Sequence, residues 1–195
     1  MNEPGDQELL ALFRKEESRH YAFNQIVRLH QRRLYAFIRR MVTDPAETED
    51  ILQDVFLKAW TGLDNFRGEA RLDTWLFRVA HNESISHLRR LKRRCLFNER
   101  KLAQQLTATL ISEEHFSGDA IQQQLQRAVM NLPPKQRAVF TMKYFDGMKY
   151  SEMSRVTGTS EGALKASFHI AVKKIEQELT ASDQTIARPK HQTSA

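Results

Sequence analysis

Apolar side chains in this chain recur every three or four residues, and that spacing permits little but helices. From Tyr21 to Met41 they fall at Phe23, Ile26, Val27, Leu34, Phe37, Ile38 and Met41, one stripe of a long amphipathic helix, while Arg28, Arg32, Arg33, Arg39 and Arg40 take much of the rest. No convincing period-two alternation appears, and 7 Gly and 5 Pro among 195 residues supply few breaks. The predicted fold is all-α.

The next helix is announced by Asp44-Pro45-Ala46-Glu47. Asp44 can cap it, Pro45 suits the first helical position, and Glu47 completes a capping-box-like arrangement. Ile51, Leu52, Val55, Phe56, Ala59 and Trp60 form its apolar face, and Gly62 is placed to end it. A loop over 63–70 follows, and Asp73 or Thr74 can begin a third helix with Trp75, Leu76, Val79, Ala80, Leu88 and Leu91 on its buried side. That helix ends in Arg89, Arg90, Lys92, Arg93 and Arg94. Solvation beside the favourable end of the helix dipole and contact with phosphates both suit this basic run.

Periodicity then weakens through a stretch rich in Gln, Thr, Ser and Glu. The chain therefore divides into two small helical domains, 7–95 and 119–180, joined by a flexible linker at 96–118 that can hold local helix, with an unstructured polar tail at 181–195. In the second domain Ile121, Leu125, Ala128, Val129 and Leu132 share one face up to Pro133-Pro134. Pro134 opens a helix with Val139, Phe140, Met142 and Phe145 as its apolar set, and Asp146-Gly147 turns the chain. Ser151 can cap a short helix to about Thr157, Gly158 breaks it, and Ser160 can cap a last helix carrying Leu164, Phe168, Ala171, Ile175 and Leu179.

Short helix, tight turn and capped long helix together form a helix-turn-helix pattern, whose second helix enters a DNA major groove. Any all-α protein can imitate the pattern. Away from its apolar line the last helix offers Gly162, Lys165, Ala166, His169 and Lys173. Small residues let the backbone approach DNA, and Lys165 and His169 can reach bases or phosphates.

Charge agrees with a polyanionic partner, whether nucleic acid or an anionic membrane: 30 Lys and Arg face 24 acids, a net +6. Against that background the acids of the 44–60 helix need a reason. An acidic first turn ordinarily compensates the dipole, but Asp50, Gln53 and Asp54 run beyond it beside Leu57, which suits a partner bearing a basic, partly apolar helix.

Hydrophobic residues at 41% are enough for a real core. One cysteine, Cys95, excludes an internal disulfide and a Cys-rich zinc site and fits a reducing compartment. Neither a secretory leader nor a run of about 18 apolar residues is present, so a cytoplasmic protein is expected. The histidines, His20, His30, His81, His87, His115, His169 and His191, show no metal-ligand spacing, and no Walker, GxSxG or GxGxxG motif occurs. No catalytic residue, metal or cofactor is predicted.

The segments nevertheless resemble a known family. Residues 44–60 are similar to the polymerase-binding segment of extracytoplasmic-function (group IV) sigma factors of the sigma-70 family, and the likeness covers roughly 23–94 and 121–179. It implies that Asp50, Gln53, Asp54 and Leu57 face the clamp helices of the largest subunit of core RNA polymerase, and that the second domain meets the flap of the second-largest subunit. Phe66-Arg67-Gly68-Glu69 and the run from Asp73 to Asn82 resemble the segment that opens the −10 promoter element and captures a flipped base, which costs a few kcal/mol of stacking. By that likeness Phe66, Arg67, Gly68, Glu69 and Asn82 form the −10 site with Arg89, Arg90 and Arg93 at phosphates, while Trp75 is either core or a stacking platform.

Residues 132–178 look like the family's −35-reading domain, implying Ser160, Glu161, Lys165, His169 and Lys173 at DNA. Where many members carry Arg this chain has Ser167, Ile170 and Val172. An anti-sigma factor is a further partner implied by the likeness. A stand-alone helix-turn-helix repressor or activator is the alternative from another class, and it has no use for the 44–60 segment.

Overall fold

A computed structural model describes residues 5–94 and 120–186. The expected linker at 96–118, Cys95 and the last residues of the tail lie outside them. Among the described residues the chain is all-α, as the periodicity predicts.

The first unit holds α1 (Asp6–Phe13), α2 (Glu16–Val42), α3 (Pro45–Gly62) with a 3-10 turn (Leu63–Asn65), and α4 (Leu72–Arg94). The sequence reading missed α1, whose eight residues are too few to register a period; it packs on α2 through Leu9 and Phe13. α2 begins five residues before Tyr21, because Glu16 and Glu17 favour the positive end of its dipole even without an apolar stripe there. It ends at Thr43, buried in the left-handed region at φ 66 with its hydroxyl donating to the Val42 carbonyl at 2.7 Å. That sharp reversal aims the chain into α3.

Asp44 caps α3 by accepting from the Glu47 N–H at 2.9 Å. The reciprocal half of the expected capping box is replaced, because the Glu47 carboxylate goes to His87 of α4 at 2.9 Å. Lys58 and Glu83 tie the same helices at 2.5 Å. α4 starts at Leu72, one residue before Asp73 and two before Thr74, the two expected starts.

The second unit holds α5 (Ala120–Met130), α6 (Pro134–Phe140) continuing as a π-helical turn (Thr141–Phe145), α7 (Tyr150–Thr157) and α8 (Glu161–Ile186). Three expectations are corrected. Ile121, placed on the buried face, is 66% exposed, since the packed side of α5 begins a turn later near Leu125. Ser151 lies inside α7, whose N-cap is Lys149, with its N–H donating to the Glu152 carboxylate at 2.9 Å. α8 passes Thr180 and runs to Ile186, because extending a formed helix adds a hydrogen bond for each residue fixed.

The two units pack against each other. One apolar cluster runs from Leu9, Phe37 and Phe77 of the first to Ala138, Val139, Met142, Met153 and Val156 of the second. α7 lies on α4. At the seam the buried Arg137 guanidinium donates to the Met41 carbonyl at 2.6 Å, and to Met130 and Leu132 carbonyls in its own unit. Burial pushes Arg137 down to about 10. Arg40 reaches Asp146 at 3.9 Å and lies 4.4 Å above the Phe145 ring.

Candidate functional site

Three exposed surfaces carry the expected residues. On α3, burial of Thr48, Ile51, Val55 and Ala59 fixes the helix rotation. Asp50, Gln53, Asp54 and Leu57 consequently share the outer face, all exposed, with Leu57 at 61%. The spacing of three, four and seven makes one acidic stripe beside an apolar knob. The shape suits a basic helix laid against it.

The second surface joins the loop at 66–71 to α4. Arg67, Gly68 and Glu69 are exposed, and Gly68 takes a φ of +75 that other residues rarely adopt. Phe66 is otherwise: its ring is turned inward, 8% exposed and 5.5 Å from the Trp75 ring. An aromatic ring gains more from burial on Trp75 than from water, so the loop as folded presents its backbone and its next three residues. Trp75 supports the loop from behind.

Along α4, Arg78 and Asn82 are exposed four residues apart, with Arg89, Arg90 and Arg93 exposed from two turns further on, a basic stripe continuous with the loop. Sequence reasoning left Arg78 out of the site, though its spacing of four from Asn82 was visible. Neighbouring His81 faces inward; burial holds it below its ordinary range, and Lys135 from across the seam pushes the same way. Its ring nitrogen lies 3.3 Å from the Asn82 side-chain oxygen.

The third surface is α8. Gly158, at φ 68, turns the chain out of α7, and Ser160 Oγ accepts from the Ala163 N–H at 3.4 Å. Leu164, Ala171 and Ile175 are buried, which leaves Ser160, Glu161, Lys165, His169 and Lys173 on the exposed side. Ile170 is 45% exposed. Lys165 Nζ lies 5.7 Å from the Tyr150 ring, so α7 partly steers its ammonium.

Comparison with known proteins decides what this set of surfaces is. Residues 26–94 match Sigma-70 region 2 and residues 122–175 match Sigma-70, region 4. The chain is 30% identical to the ECF RNA polymerase sigma factor SigM of Mycobacterium tuberculosis over 85% of its own length and 80% of that protein's. The chain belongs to the extracytoplasmic-function sigma factors.

The RNA polymerase sigma factor NccH of Alcaligenes xylosoxydans is also 30% identical, covering 93% of this sigma factor and 99% of NccH. In fold it is similar to the sigma factor RpoE of Bartonella quintana, solved in complex with the anti-sigma factor NepR, with a TM-score of 0.63 and 24% identity over 81% of this chain and 96% of that one. Region 2 thus spans the acidic stripe, the loop and the basic stripe. Region 4 holds the helix-turn-helix. α1 and the first turns of α2 precede both matches. Among the described residues no helix is long and apolar enough to cross a membrane, and no cluster of three or more His, Cys, Asp or Glu is placed to hold a metal.

Proposed function

We propose that this sigma factor docks on core RNA polymerase through Asp50, Gln53, Asp54 and Leu57, places it at −35 DNA through α8, and traps melted −10 DNA with the loop and α4. The work divides between 7–95 and 119–180, the second also meeting the flap. The factor does this in the cytoplasm without catalysing a reaction, and the melting free energy comes from holding single-stranded DNA. Arg67, Gly68, Glu69 and Asn82 contact the captured strand while Arg89, Arg90 and Arg93 hold its phosphates. The carrying observation is the exposed acidic stripe of α3 in a chain of net charge +6. A DNA binder acting alone has no use for it.

The seam implies a second step. At ~3.4 Å per base pair, −10 and −35 lie roughly 85 Å apart, whereas a packed chain of this length is about 40 Å across. Both elements are read together only after the units separate, so docking on polymerase and opening are coupled. An anti-sigma partner, of the class bound to the Bartonella RpoE, would act on the same equilibrium.

Reconstituted transcription tests the proposal: chain plus core polymerase on genomic promoter fragments gives new start sites, and neither gives them alone. Tight binding of an operator by the chain alone, without polymerase-dependent starts, would establish the stand-alone regulator instead. Asp50→Lys with Asp54→Lys weakens core binding at least ~10-fold while −35 binding by the second unit persists. Parallel loss of both refutes this interface. Lys165→Ala costs −35 recognition about 1–3 kcal/mol if it touches a base; an unchanged preference removes it from the reading face.

A further inference from the structure

The exposed part of the −10 loop is short, Arg67, Gly68 and Glu69, and the chain on either side of it is pinned. Leu63 is buried at the end of α3, and the Phe66 ring packs at a tilt against Trp75. Trp75 itself is pressed on Gly62, where a Cβ would come 2.9 Å from the indole. These contacts fix the roots of the loop in depth. They leave its sideways position to the polar groups between them.

Those groups are held by α1 and the start of α2. Arg19 donates to the Asp64 carboxylate at 2.7 Å, and its guanidinium lies 4.3 Å from the Phe13 ring centroid and 4.8 Å from that of Trp60. His20 adds a ring 4.9 Å from Trp60, and Phe13 meets Trp60 edge-on at 5.4 Å. Arg14 donates to the Phe66 carbonyl at 3.4 Å. The aromatic groove fixes the plane of Arg19, so its fork points at Asp64 before any DNA arrives. The hydrogen bond holds the Asp64 carboxyl below the usual carboxylate range.

We propose that Arg19, assisted by Arg14, is a positioning residue for −10 capture: clamped between Phe13 and Trp60, it holds Asp64 and thereby sets the approach of Arg67, Gly68 and Glu69 to the strand. The role rests on the −10 reading of the loop proposed above and belongs to a segment that precedes the region 2 match. The clamp's partners, Phe13, Trp60, Asp64 and the Phe66 carbonyl, lie outside both the acidic stripe of α3 and the groups assigned to the strand. Its loss is therefore felt at −10 alone.

The test uses the full chain assembled with core polymerase, and two probes from a promoter located by reconstituted transcription: a fork-junction DNA with a single-stranded non-template −10 segment, and a −35 duplex. Arg19→Ala and Asp64→Ala each weaken fork-junction binding about fivefold, and the double variant is no weaker than the worse single one. Core affinity and −35 binding stay unchanged, and the melting temperature falls by no more than about 4 °C. Unaltered fork-junction affinity overturns the proposal, and so does a loss that tracks melting temperature or appears equally at −35. Glu69→Ala and Asn82→Ala separate the two ideas. If they weaken the fork junction while the clamp variants do not, bracing alone fails; if none of the four matters, the −10 reading of the loop fails with it.

Discussion

Inside the first unit the helices meet through rings: Phe13, Phe23, Phe56 and Trp60 interlock at 5.0–6.3 Å, edge to face except for the tilted Phe13–Phe23 pair, and Phe37 meets Phe77 at 5.5 Å. Between the units the contact is also apolar, but it buries Arg137, Arg40 in part, and Asp146, whose Oδ2 finds no hydrogen-bond partner among the described residues. Rings gain stability with no charge to desolvate, whereas a buried ion pair recovers only part of its desolvation cost. The first contact suits a unit that stays folded while it works. The second suits a surface that closes and then lets go.

The largest effect that tests this contrast lies in the first unit. Phe77→Ala removes a ring that is 2% exposed and lies against Phe37, and costs about 3–5 kcal/mol. Urea unfolding should show that loss as a lower midpoint, with core binding lost at temperatures where the wild type still binds. A loss below ~1 kcal/mol would mean the ring core is loosely packed and the contrast with the seam is false.

How much of this was legible in the sequence varied with how local the cause was. The bounds of α3 follow from Asp44, Pro45 and Gly62, neighbours along the chain, and the exposed stripe follows from helical spacing. α1 buries its two apolar residues on a helix whose position the sequence does not carry. Phe66 was read as part of the open pocket because its inward turn depends on Trp75, nine residues on. Arg137 and Asp146 look like ordinary surface charges in a list of residues. Only packing of one unit on the other makes them a seam. Lys149 displaced Ser151 as a cap because Glu152 offered its backbone N–H a carboxylate.

Asp146 gives the next effect. Burial pushes its carboxyl up to about 6, against the pull of Arg40 and Arg33 in the opposite direction. With the units apart the carboxyl returns toward its ordinary 3.8, so the closed form binds the proton more tightly. Closure is therefore fully favoured below pH ~4 and loses up to about 3 kcal/mol as pH rises through 6, at ~1.4 kcal/mol per unit. His81, also at the seam, opposes this, because its depressed value favours closure in the neutral form. Scattering from the free chain should expand as pH rises from about 4 through 6, and Asp146→Asn should flatten or reverse the trend. An unaltered profile in that variant would remove Asp146 from the equilibrium.

The smallest effect is the most discriminating, because Arg40 acts across the seam in two ways that pH separates. Its ion pair with Asp146 is loose at 3.9 Å and its side chain is 32% exposed, while its guanidinium sits over Phe145 at 4.4 Å. Arg40→Gln removes both contacts and loosens closure by about 1 kcal/mol at pH 8. It also removes a positive charge that holds the Asp146 carboxyl down, so that carboxyl titrates at a higher pH in the closed form, but closure is weaker throughout and expansion sets in at a lower pH than in the wild type. At pH 5 Asp146 is largely protonated in the closed form, the ion pair contributes little, and only the contact with Phe145 is missed. The deficit should therefore shrink on acidification. A deficit equal at both pH values would assign closure to packing alone, and the seam would then differ from the ring core in strength but not in kind.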